Sequence, residues 1–117
     1  MIDFKIDEQH GLIVMRFSGI ITQDEAKDFS EKMPQIVETA IRKFGAVKMI
    51  AESSNIVQPA AITELIQKNF ANIQSKVDKM AFITTSQLVK MQTKRVSVTD
   101  KVMFFDNKEA AQAWITS

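Results

Sequence analysis

Residues that could bind a ligand or be modified fall in three short clusters, each directly after an apolar run. They are Glu52-Ser53-Ser54, Thr84-Thr85-Ser86 and Asp106-Asn107. Hydroxyls and carboxylates of this kind can hold a ligand by hydrogen bonds, and a serine hydroxyl can take a phosphoryl group. The same residue types cap helices, and capping is the competing account of Thr85, Ser86, Asp106 and Asn107. The first cluster is different. Its loop runs on through Asn55-Ile56-Val57-Gln58 before Pro59 opens a helix, which is longer than a cap requires. Ile56 and Val57 are apolar within that loop. Either they fold back onto the core, or they form a lid over an apolar cleft with Leu88 and Met91 on the opposite wall. The candidate ligand-binding residues are therefore Ser53, Ser54, Ile56, Val57, Thr84, Thr85, Leu88 and Met91.

Most catalytic chemistries lack their residues. Gly11, Gly19 and Gly45 are the only glycines and lie far apart, so there is no P-loop and no dinucleotide fingerprint. His10 is the sole histidine. It sits in a turn, Glu8-Gln9-His10-Gly11, where a triad or a metal site would have to be built around it. Cysteine is absent, and thiol catalysis, redox pairs and Cys-based zinc sites go with it. No base stands beside a candidate nucleophile. No enzymatic activity, no cofactor and no metal is expected.

Composition points the same way. The chain is 45% hydrophobic and 25% charged, with a net charge of +1. That balance gives no reason to expect nucleic acid as a partner. No apolar run approaches the ~20 residues of a membrane helix, and the alternating, acid-bearing start is unlike a signal peptide. The expected location is the cytoplasm. Lys76, Lys79, Lys90, Lys94, Arg95 and Lys101 make the second half locally basic, diluted by Asp78 and Asp100. This reads as a solvated face, or as one that receives an acidic partner or a lipid headgroup.

The elements that must position these residues follow from hydrophobic period. Ile2, Phe4 and Ile6 alternate with charges, and Leu12–Phe17 follows after a short turn, so the two form an antiparallel hairpin at the sheet edge. Thr22-Gln23-Asp24-Glu25 is a capping box. Behind it runs a helical stripe, Ala26, Phe29, Met33, Ile36, Val37, Ala40, Ile41 and Phe44. The stripe keeps phase across Pro34, which predicts a kink or two abutting helices. Gly45 is the expected stop. Val47–Ala51 reads as a central strand covered on both faces. Pro59 then opens a helix whose stripe is Ile62, Leu65, Ile66, Phe70, Ile73 and Val77. Lys79–Thr85 is another strand, Ser86–Arg95 a short helix, and Val102–Phe105 the last strand. Asp106 and Glu109 repeat the capping pattern before a closing helix that carries Trp114 and Ile115. The order is ββαβαβαβα: one α/β domain over residues 1–117, with about five strands in a mostly parallel mixed sheet and about four helices. In such a sheet all three polar clusters fall on one rim.

The chain resembles the STAS superfamily, and within it the SpoIIAA-like family. The resemblance rests on Phe17-Ser18-Gly19 followed by Thr22-x-x-Glu25 opening a long helix, on Pro34 within that helix, and on Val102-Met103-Phe104-Phe105-Asp106 followed by Glu109-Ala110-x-x-Ala113-Trp114. It implies a STAS-type fold without catalysis, a possible homodimer, and either carriage of a small apolar or amphipathic ligand or contact with a regulatory protein. Anti-sigma-factor antagonists of this superfamily carry Asp-Ser-Ser-Gly after the central strand, with the second serine phosphorylated. Glu52-Ser53-Ser54-Asn55 is similar and maps Ser54 onto that phosphosite. Two departures stand out: Asn55 replaces the glycine, and the helix starts late, at Pro59, whereas a phosphate gains most from a helix N-terminus directly beside it.

Overall fold

The computed structural model describes residues 1–53, 58–94 and 101–117. Five strands form one sheet in the spatial order β1-β2-β3-β4-β5: Ile2–Asp7, Leu12–Phe17, Lys48–Ser53, Lys79–Ile83 and Val102–Phe105. β1 pairs antiparallel with β2, and β2–β3, β3–β4 and β4–β5 are parallel. The helices are α1 (Gln23–Phe44), α2 (Ala60–Ile73), α3 (Gln87–Lys94) and α4 (Lys108–Ile115), with a 3-10 turn at Gln74–Lys76. This is the α/β order expected from the sequence, edge hairpin included.

Period-two alternation sorts the strand side chains between two cores. Ile13, Met15, Phe17, Met49, Ala51, Met80 and Phe82 pack under α1 and α2, against Phe29, Met33, Val37, Ile62 and Phe70. The opposite side chains, Leu12, Ile50, Ala81 and Ile83, pack under α4 against Ala111 and Ile115. A row of phenylalanines crosses the α1/α2 side from edge to edge. Phe4 stacks on Phe29 at 5.7 Å, Phe29 meets Phe70 at 5.9 Å, Phe70 meets Phe82 edge-on at 5.1 Å, and Phe82 stacks on Phe104 at 5.6 Å. Aromatic pairs in such geometries add to simple burial, so the row ties edge strands β1 and β5 through one continuous apolar layer.

The local signals explain the helix ends. Thr22 accepts from the Glu25 amide at 3.2 Å while the Glu25 carboxylate accepts from the Thr22 amide at 3.3 Å, which closes the capping box. At the other end Gly45 has φ 79°, which only glycine adopts without strain, and its N–H bonds the Ile41 carbonyl at 2.8 Å.

Several expectations shift. α1 is a single helix of 22 residues that continues through Pro34, not two abutting helices. Pro34 is exposed, so its ring faces solvent while Met33 and Val37 hold the apolar stripe in phase. Pro59 stands just before α2, and its carbonyl accepts from Ile62 and Thr63. Asn107, not Asp106, caps α4: its Oδ1 accepts from the Ala110 amide at 2.8 Å. With the cap one residue later, Glu109 falls at the second helical position and cannot complete a capping box. Lys79 is not a solvated lysine. Its Nζ lies 5.0 Å from the Trp114 ring centroid and donates to the Trp114 carbonyl at 3.3 Å, holding the C-terminal end of α4, where a cation is favoured.

Candidate functional site

The parallel pairing gathers the strand ends along one rim. Phe17 of β2 is level with Ser53 of β3, Glu52 with Ile83 of β4, and Ile83 with Phe105 of β5. Thr84 and Asp106 are the next residues out. Thr84 leaves the sheet in a defined way: its amide bonds the Phe105 carbonyl at 2.9 Å and its Oγ1 accepts from the Ser86 amide at 3.1 Å. That side-chain turn bends the chain into α3, whose first backbone bond runs from the Lys90 amide to the Ser86 carbonyl at 3.1 Å. On the neighbouring strand, Asp106 and the Asn107 cap turn the chain into α4.

Between these two junctions lies a cleft of ≈ 250 Å³, with walls formed by Thr84, Thr85, Ser86, Gln87, Lys90, Phe104, Phe105 and Asp106. Its walls are mostly polar; of the two phenylalanines that contribute, Phe104 stacks on Phe82 on the α1/α2 side of the sheet and Phe105 meets Trp114 on the α4 side. Of the residues predicted from sequence, Thr84 and Thr85 stand together here. Leu88 and Met91, expected as an apolar wall, do not line this cleft; they are 48% and 56% exposed on α3, which contributes to neither core among the described residues. Ser53 ends β3 on the same rim, half-buried and outside this cleft. Ser54, Ile56 and Val57 lie outside the described residues. Lys90 and Asp106 were not chosen as ligand-binding residues. The signal was available: Lys90 lies on the first turn of α3 and Asp106 directly follows the last strand.

Gln58, the end of the expected gating loop, has a different duty. Its Oε1 accepts from the Ile21 amide and its Nε2 donates to the Gly19 carbonyl, both at 2.8 Å. It pins the entry to α2 against the connection between β2 and α1.

His10 bonds Asp7 at 2.9 Å in an exposed turn, which holds the Asp7 carboxyl below its usual value. The pair lies at the end of the β1–β2 hairpin opposite the rim. Among the described residues no group of His, Asp and Glu side chains could hold a metal ion, and no helix is long and apolar enough to cross a membrane.

The fold is shared with a solved structure. The crystal structure of an uncharacterized protein with a SpoIIAA-like fold from Shewanella loihica superposes with a TM-score of 0.67 at 15% identity, covering 97% of this chain and 93% of that one. At that identity the likeness shows the fold alone. No curated protein matches the chain. The SpoIIAA-like family model matches residues 12–116, from the second strand through the closing helix and across the whole rim. The chain belongs to the SpoIIAA-like family.

Proposed function

We propose that this is a non-enzymatic binding domain that takes a small amphipathic molecule at the C-terminal ends of its strands. The cleft at the β4 and β5 exits carries the reading. It places hydroxyls, one cation and one carboxylate beside apolar surface from Phe104 and Phe105, which suits a compact molecule with a polar head and an apolar body. At ≈ 250 Å³ it is smaller than the ~300–1,000 Å³ of pockets for drug-sized ligands, so the occupant is small.

Native mass spectrometry of the chain purified from its host tests this. The expected spectrum contains an adduct of small mass that Thr85→Trp, which fills the cleft, abolishes. A bare mass for the unaltered chain, together with no binding from a panel of amphipathic small molecules, refutes the reading. The alternative is a phospho-switched contact with a regulatory protein through Ser54, favoured by Glu52-Ser53-Ser54-Asn55. It predicts that Ser54→Asp changes the proteins retained by the chain, and an unchanged set refutes it.

A further inference from the structure

We propose that the ligand of this cleft is a small zwitterion, with an ammonium and a carboxylate carried on one compact apolar body. The inference rests on the binding reading above and names the charge pattern of its occupant. Lys90 and Asp106 both line the cleft. Among the described residues neither joins an ion pair: those present are Met1–Glu25, His10–Asp7, Lys32–Asp28, Arg42–Glu38 and Lys43–Glu8. Asp106 is also spared the capping duty that its position suggests, because Asn107 performs it. Two opposite charges thus share one cleft without meeting.

Such an arrangement selects by charge pattern. A simple anion attracted to Lys90 also faces Asp106, and a simple cation attracted to Asp106 also faces Lys90. Each gains one attraction and suffers one repulsion. A dipolar molecule satisfies both groups at once, and charge-assisted hydrogen bonds are the stronger kind. Thr84 supplies a further contact. It is only 8% exposed, and its hydroxyl oxygen is occupied by the Ser86 amide while its proton has no acceptor among the described residues. A buried hydroxyl proton of this sort calls for an acceptor beyond those described residues, and a ligand carboxylate oxygen provides one. The opening turn of α3, which runs through Gln87 and Lys90, adds the positive end of its dipole on the same side. Phe104 and Phe105 both line the cleft and give it the apolar surface that such a body needs.

Three probes of one shape separate the possibilities: L-phenylalanine, 3-phenylpropanoate and 2-phenylethylamine. Each is titrated into the full chain while amide chemical shifts are followed. The expected result is that L-phenylalanine moves the Thr84, Thr85, Gln87 and Asp106 amides with a Kd at least ~10-fold below either singly charged probe, the scale of one charge-assisted hydrogen bond. Asp106→Asn should remove the advantage over 3-phenylpropanoate, and Lys90→Met the advantage over 2-phenylethylamine, with amides remote from the cleft unmoved in both variants. Equal or tighter binding of a singly charged probe overturns the zwitterion, as does an advantage that survives both substitutions. A small molecule that co-purifies in the cleft and carries one charge or none overturns the zwitterion while leaving the binding reading intact. A cleft that holds nothing overturns both.

Discussion

Replacing Gln58 with alanine should be among the most costly polar substitutions in the described structure. The side chain makes two hydrogen bonds of 2.8 Å to a segment far away in sequence, one as acceptor from Ile21 and one as donor to Gly19. Each such bond contributes about 1 kcal/mol net. Ile21 is 1% exposed, so its amide does not simply pass to bulk water, and an orphaned buried amide costs about 1–3 kcal/mol where no water reaches it. Counting two bonds and partial access for water, Gln58→Ala should cost about 2 kcal/mol. For a chain of this size that is ~8 °C in Tm, at about 4 °C per kcal/mol. Urea denaturation measures the free energy, and hydrogen exchange at the Ile21 amide reports the site, where exchange should accelerate. Gln58→Glu is the informative companion. It keeps an acceptor for Ile21 but sets a carboxylate oxygen against the Gly19 carbonyl, so it should be destabilising although the two side chains have nearly the same shape. A Gln58→Ala midpoint within ~0.5 kcal/mol of the parent, the range of a neutral surface substitution, would refute the clamp.

Phe29 is 1% exposed and touches the rings of Phe4, Phe17 and Phe70; Phe29→Ala should cost about 3–5 kcal/mol by urea denaturation, and a loss below ~1 kcal/mol would mean the row of rings is not a stabilising unit. The Glu25 carboxyl is held below its ordinary value of 4.5, first by the Met1 amino group and then by the Thr22 amide. A depressed carboxyl stabilises the fold above its unfolded pKa and loses that contribution as pH falls through the folded one. Glu25→Gln should therefore flatten the acid side of a stability–pH curve below about pH 4.5, and parallel curves for parent and variant would contradict this.

Much of the architecture was legible because the determining forces are local. Alternation in Ile2–Asp7 announces a strand with one apolar face, and Thr22 with Glu25 announces a helix start whatever the rest of the chain does. The stripe behind Pro34 was legible too, but its continuity was not. A proline inside a helix loses one hydrogen bond, and whether the helix breaks depends on packing by Met33 and Val37 that only the folded state reveals. The same holds for the rim. Parallel order could be inferred, so Thr84 and Thr85 were placed on one edge with the Ser53 region. The position of the described cleft, one strand further towards β5, was not. It depends on how α3 and α4 leave their strands, which Thr84 and Asn107 decide through single hydrogen bonds. The charges that face it were passed over because Lys90 looked like an ordinary solvated lysine and Asp106 like a cap. Gln58 carried no signal at all, since its partners lie in another connection.

The division of labour between the two sheet faces has a consequence for biogenesis. α1 and α2 lie in sequence among the strands they cover, whereas α4 follows all five. Until it docks, Leu12, Ile50, Ala81 and Ile83 form a naked greasy plane on an otherwise assembled sheet. A state in which α4 has come away from a persisting sheet therefore bares an apolar plane open to chaperones or to a second copy. Lesions that merely slow α4 docking, such as loss of the Lys79 contact to Trp114, should reduce cellular yield more than they lower the melting point of the finished protein.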